Sequence, residues 1–408
     1  MKRMRLKPLK PSQILIIAFI DQLAITMSQQ GLSILSEAFK NYAHLGVTQM
    51  GILFATVALG AVVGMIPAGL ALDRYGVKTI AFVSGASILI IMLLLAALLP
   101  KTFVPLIVLL ALVGFFLPAL FLTGATAITK MYAGSPNEGM AIGLRQAATP
   151  LGGILAASLF PLLVKSWSLQ LVLVLIALSA GGWTMLFGGV LKAPSKRAKQ
   201  PARSAAHSMN VPQLKRQLIF LKNPLLVSFL LSPGQYALLT YAILDLHDRW
   251  HIHMTIAGPI IALALLGGFI ARIYLGKLSD HGIAIPRLLM WTAALGLLSL
   301  ILWALVPSVT PEWMLLFIFI GLGAGLDGWN ALLTNWVAQI TTEKERGMAL
   351  GLIGMSGFIG IVLFLPLFGL MIRIFSSYRP AWLLLALIYF LGIGVIRQSV
   401  SKTVEIHP

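Results

Sequence analysis

Hydrophobic residues run through this chain in long stretches, broken by charged residues or by clusters of proline and glycine. The stretches cover residues 12–33, 46–70, 79–99, 103–129, 140–164, 168–191, 225–246, 254–276, 285–306, 312–340, 348–372 and 378–396. A hydrocarbon core about 30 Å thick takes about 20 apolar residues wound as a helix. Lipid offers no partners for backbone N–H and C=O groups, and a helix satisfies them internally. The pattern predicts an all-α membrane protein with twelve transmembrane helices. The first helix is kept rather than cleaved, because its apolar run is too long for a signal peptide and lacks a small-residue cleavage site.

A second pattern sits on top of the first. Gly69 and Asp73 follow helix 2, and Gly276 and Asp280 follow helix 8, each 207 residues later. GMAIGL opens helix 5 at Gly139 and GMALGL opens helix 11 at Gly347, an offset of 208. Two unrelated motifs sharing one period point to a duplicated six-helix unit. The domains are then an N-terminal six-helix bundle (1–191), a linker (192–222) and a C-terminal six-helix bundle (223–408), related by pseudo-symmetry. Transporters built on such repeats bind substrate between the halves.

Composition agrees with a lipid solvent. Of 408 residues, 59% are hydrophobic and 10% charged, against about 25% charged in an average soluble domain. The formal net charge of +18 invites a nucleic-acid reading, but the basic residues are unevenly placed. With the amino terminus in the cytoplasm, 22 of the 30 Lys and Arg fall on the cytoplasmic side and six on the other. That asymmetry is the positive-inside bias, so the charge sets topology, with both termini and the linker in the cytoplasm of a cell-membrane protein. No nucleic-acid partner is expected. The linker, with its eight basic residues, reads as a solvated segment lying on anionic lipid headgroups. Cysteine is absent, which removes disulfides and thiolate chemistry. His247, Asp248, His251 and His253 cluster in the loop between helices 7 and 8 and are not read as a metal site. No span carries a nucleophile with a base beside it or a nucleotide-binding loop, so neither an enzyme nor a cofactor is expected.

The string GLALDRYGVK (69–78) resembles the signature of the major facilitator superfamily, G-x-x-x-D-R-x-G-R-R/K after helix 2, with a weaker copy in GKLSDHG (276–282). Gly69, Asp73, Arg74 and Gly76 match, Val77 replaces a basic residue, and His281 replaces the arginine of the second copy. The resemblance covers the whole chain and implies alternating access by a secondary carrier, expected to act as a monomer. It also implies a conformational latch, in which Asp73 contacts the start of helix 11 near Gly347 in the outward-open state. Asp280 is the counterpart in the second half.

Ionisable groups inside spans are costly and mark cavities or pairs. Four qualify: Asp21 on helix 1, Arg145 on helix 5, Arg272 on helix 8 and Asp327 on helix 10. Arginine keeps its charge and needs an anion, either a substrate carboxylate or an internal one such as Asp327. A helix 8 arginine is similar to that of the oxalate/formate antiporter and monocarboxylate transporter families, where it binds the carboxylate. Helix 11, however, lacks the lysine of the oxalate type, and helix 1 carries Asp21 where the monocarboxylate type has lysine. Arg145 is either a second anion contact or an arginine snorkelling to the headgroups. Asp21 and Asp327 can carry a proton, since a carboxyl taken out of water can exchange its charge for one, or can serve as counter-ions. Gln22, Gln29, Gln235, Tyr236, Tyr241, Trp329 and Asn330 are candidate cavity walls, with Tyr236, Gln235, Asn330 and Trp329 expected at the substrate.

The reading is a secondary transporter for a small organic anion, a monocarboxylate or similar acid, moved by proton symport. The alternative is a proton-coupled antiporter exporting drugs or metabolites. Topology has a direct check: a cysteine introduced at Ser204 in the linker should stay unlabelled when a membrane-impermeant thiol reagent is added outside intact cells. Labelling from outside would reverse the orientation.

Overall fold

The computed structural model describes residues 10–132, 135, 138–191, 211–307 and 310–404. Lys2, Arg3, Arg5, Lys7 and most of the 192–222 linker lie outside these residues, as does the side chain of Asp280. The first half contains α1 (Pro11–Ile34), α2 (Ser36–Ala43), α3 (Val47–Leu98), α4 (Phe103–Tyr132), α5 (Glu138–Ser166), α6 (Leu169–Ile176) and α7 (Trp183–Val190). A π-helical segment, Ala177–Gly182, joins α6 to α7. The second half contains α8 (Val211–Phe220), α9 (Lys222–Trp250), α10 (Met254–Asp280), α11 (Ile285–Leu305), α12 (Glu312–Asp327), α13 (Trp329–Ile340), α14 (Glu343–Phe375) and α15 (Arg379–Val404). No strand occurs among the described residues.

Eleven helical stretches among the described residues are long and apolar enough to cross a membrane. One of them, α3, has 52 residues. At about 1.5 Å per residue a straight helix of that length would overshoot the bilayer more than twofold. It breaks at Gly76, whose φ of 80° is open to glycine at little cost. Ala68 and Leu72 before the break and Ile80 after it pack in one cluster with Ala119 of α4, so the chain doubles back there. The eleven stretches therefore supply twelve crossings.

The expected loop over 192–222 is only partly a loop. Residues 211–220 form α8, which exposes Leu218, Ile219 and Phe220 beside Lys215 and Arg216. A short helix of that composition suits the boundary between headgroups and acyl chains.

Close helix crossings recur at the repeat period. A Cβ on Gly60 of α3 would strike the Ala111 carbonyl of α4, and a Cβ on Gly267 of α10 would strike the Ile320 carbonyl of α12. Small residues at such crossings let backbones approach in a setting where no hydrophobic effect draws helices together. The seams between halves repeat as well. Gly51 of α3 lies against the Leu365 backbone of α14, and Gly258 of α10 lies against the Ala157 backbone of α5.

These crossings should govern stability. Gly114→Ala would push a Cβ into the Val57 backbone and should lower unfolding stability by about 1–3 kcal/mol. Gly69→Ala meets nothing within 4 Å and should leave it level or slightly raised. Thermal unfolding in detergent compares the two.

Candidate functional site

The four intramembrane charges fall into two sites, one in each half. In the second half, Arg272 of α10 meets Asp327 at the end of α12. Its Nη2 donates to Asp327 Oδ1 at 2.6 Å, and its Nε donates to the Asp327 backbone oxygen at 3.1 Å. Gly268, one turn before Arg272, leaves room for the carboxylate, since a Cβ there would lie 2.8 Å from Asp327 Oδ2. Asp327 is 1% exposed. Arg272 thus has its anion inside the protein.

The first half is arranged differently. Arg145 of α5 is buried, and its Nη2 donates to Gln22 Oε1 of α1 and to the Phe121 carbonyl of α4, the latter at 3.0 Å. Its guanidinium lies over Gly124, where a Cβ would come within 2.9 Å of Nε and Nη2. Both acceptors are neutral, and Nε has no partner. Among the described residues no carboxylate lies within 4 Å of this guanidinium. Asp21 is one residue before Gln22 on α1 and fully buried. Its Oδ1 accepts from Thr184 Oγ1 of α7 at 2.7 Å, while Oδ2 has no partner. Gln22 Nε2 also reaches Thr26 and Thr149, each at 3.2 Å, which fixes the amide between α1 and α5.

Between the halves, Gln29 Nε2 of α1 donates to Tyr236 Oη of α9 at 3.0 Å. The two positions are 207 residues apart, the repeat period, so the bond joins pseudo-equivalent sites. Gln235 and Asn330 are half-buried. Trp329 is 1% exposed and donates to the Leu326 carbonyl at 2.8 Å, which makes it part of the packing at the α12–α13 break rather than an open wall. Tyr241 donates to the Leu365 carbonyl at 2.9 Å and so belongs to the α9–α14 contact.

Past Gln29, toward the end of the bundle opposite the chain termini, the halves are sealed by polar bonds. Ser36 Oγ donates to the Thr240 carbonyl at 2.9 Å, and Lys40 Nζ lies 2.8 Å from Asp248 Oδ2. His247 Nδ1 is 3.3 Å from Glu37 Oε1, and Tyr378 donates to Asp248 at 2.6 Å. Three of the four residues in the His247–His253 cluster region thus have roles other than metal binding: His247 and Asp248 face α2, and His253 caps α10. At the termini end the contrast is plain. Asp73 and Arg74 are exposed, and a Cβ on Gly69, Gly143, Gly276 or Gly347 would meet nothing within 4 Å. The motif glycines face open space, and the chain is closed at the far end and open at the termini end.

The family profile of the Major Facilitator Superfamily matches residues 14–333. The chain belongs to that superfamily. It is 26% identical over 276 residues to a hexuronate transporter of Bacillus subtilis, covering 66% of this chain and 64% of the relative. It is 27% identical over 254 residues to an uncharacterized MFS-type transporter of Mycobacterium tuberculosis, covering 61% of this chain and 54% of the relative. The chain therefore spans about half to two thirds of the length of these curated relatives. Its fold superposes on a bacterial homologue of the human lysosomal transporter Spinster, solved in an inward-facing and occupied conformation, with a TM-score of 0.76 at 15% identity over 96% of this chain and 98% of the other. As a superfamily member the chain is a multi-pass secondary transporter for a small molecule.

The seal brings together residues that sequence reasoning did not single out: Lys40, Glu37, Ser36 and Thr184 were ordinary helix polar groups by pattern. One signal was present, because Lys40 and Asp248 are 208 residues apart and so occupy equivalent places in the repeat. The seal also titrates. Burial pushes the Glu37 carboxyl above the ordinary glutamate range, His247 and Lys40 offset part of that rise, and Asp248 adds to it. When the seal opens, Glu37 faces water and its value falls back, so closing takes up protons. Acid on that face should favour the closed far end, by about tenfold in the closed-to-open ratio for each unit of the rise. Spin-label distances across the seal should shorten on acidification and lose this response in Glu37→Gln.

Proposed function

We propose that this chain carries a small organic anion with protons by alternating access, and that the anion's carboxylate docks on Arg145. The observation that carries the reading is the asymmetry between two buried guanidiniums. Arg272 is neutralised by Asp327, whereas Arg145 has only neutral acceptors and an unpartnered Nε. A buried cation without an anion is expensive, and a carboxylate ligand would complete it through charge-assisted bonds. Arg272 then serves as a structural tie between α10 and α12. The hexuronate transporter relative adds chemical sense, because a hexuronate carries one carboxylate and several hydroxyls. Gln29, Tyr236, Gln235 and Asn330 are the groups suited to the hydroxyls.

Asp21 is the proton carrier of this scheme, with one oxygen unpartnered beside the Arg145 site, while Asp327 is committed to Arg272. With the termini in the cytoplasm, a chain closed at the far end is the inward-open form, and the latch of Asp73 with the start of α14 near Gly347 forms when the carrier turns outward. The far-end seal then opens, and substrate and proton enter together.

Binding by thermal shift tests the site. D-glucuronate, but not glucose, should stabilise the purified protein. Arg145→Gln should lose about 2–5 kcal/mol of glucuronate binding, and Arg145→Lys should recover part, since it keeps the charge without the planar fork. Arg272→Gln should instead lower stability by about 3–5 kcal/mol by leaving Asp327 alone. A folded Arg145→Gln protein that binds glucuronate as the wild type does would remove Arg145 from the substrate site.

A further inference from the structure

We infer that Thr184 is a positioning residue for proton uptake at Asp21, aimed by the π-helical segment that precedes it. The inference rests on the reading of Asp21 as the proton carrier. Thr184 is fully buried, and its hydroxyl makes the one hydrogen bond that reaches the Asp21 carboxyl among the described residues. Helix threonines elsewhere in this chain turn their hydroxyls back to the carbonyl four residues earlier: Thr26 to Gln22, Thr292 to Leu288 and Thr341 to Val337. Thr184 does not follow them. Its residue four back, Ala180, lies in the π segment Ala177–Gly182, where the Trp183 N–H already takes the Ala180 carbonyl.

A π turn holds about one residue more than an α turn, so it rotates everything after it relative to the helix before it. Here that rotation occurs between two contacts with the same partner. Ser179, inside the segment, lies 3.2 Å from Ser28 Oγ of α1, and Thr184, just after it, lies 2.7 Å from Asp21 Oδ1 of α1. Trp183 adds a third tie, donating to the Ile17 carbonyl at 3.4 Å. The wall behind Asp21 is thus pinned to α1 at three heights, and one carboxyl oxygen is oriented while the other stays available. π segments inside α-helices are frequent at functional sites, and this one presents a donor to a carboxyl that alternates between charged and neutral forms.

A donor of this kind favours the charged form, so its loss should make Asp21 hold its proton to higher pH. The readout is the infrared C=O band of protonated Asp21 in the purified protein, assigned by its loss in Asp21→Asn and followed against pH without any substrate. In Thr184→Val, which keeps the shape and drops the hydroxyl, the midpoint of this band should move by about one to two pH units toward alkaline. Thr184→Ser should bring it back to within a few tenths of the wild type, which a merely space-filling role would not do. A Thr184→Val midpoint equal to that of the wild type would overturn the inference while leaving Asp21 as carrier. Absence of any titrating band lost in Asp21→Asn would overturn the carrier reading itself, and the positioning role with it.

Discussion

A charge inside a bilayer must find its counter-charge inside the protein or bring one in. The polar groups of this chain are arranged around that constraint. In the second half it is met internally, with Arg272 and Asp327 at 2.6 Å and a glycine opposite to make room. In the first half, Arg145 rests on an amide and a carbonyl, and Asp21 rests on a hydroxyl. Two bundles descended from one unit have kept their helix crossings and diverged in their charges. The functional difference between them lies in the half whose charges are incompletely matched.

Much of the fold was legible in the sequence because it follows from solvent and from duplication. Apolar run lengths gave the crossings, and the motif period of 207 gave the two halves. The break between crossings 2 and 3 was hidden for a physical reason: helix continues on both sides of Gly76, and only the backbone angles at that residue show where the chain reverses. The α8 helix was hidden because a segment rich in Pro, Ser and Lys precedes it, and composition averaged over 192–222 masks the ten residues that coil.

The site was legible in its parts and not in its pairings. Four charged residues could be found by asking what does not belong in lipid. Which arginine has an anion depended on helix rotation, which sequence does not carry: Arg272 and Asp327 are 55 residues apart and meet through the α10–α12 crossing. Thr184 was invisible, since a threonine in an apolar helix signals nothing until a π segment turns it toward a neighbour. Trp329 and Asn330 drew notice as polar or aromatic groups in a span, and Trp329 instead fills the space at the break between α12 and α13.

The far-end seal is built from exchangeable partners: a lysine with an aspartate, a histidine with a glutamate, a serine with a carbonyl. When such a surface parts, water takes over each bond at a net change of about 0.5–1.5 kcal/mol apiece, whereas interlocked leucines would have to expose their full apolar area. The closed state is then shallow, held by many small and replaceable terms. A gate made this way can cycle repeatedly on thermal energy and the gradient alone, and its speed is set by hydration more than by disassembly of a core.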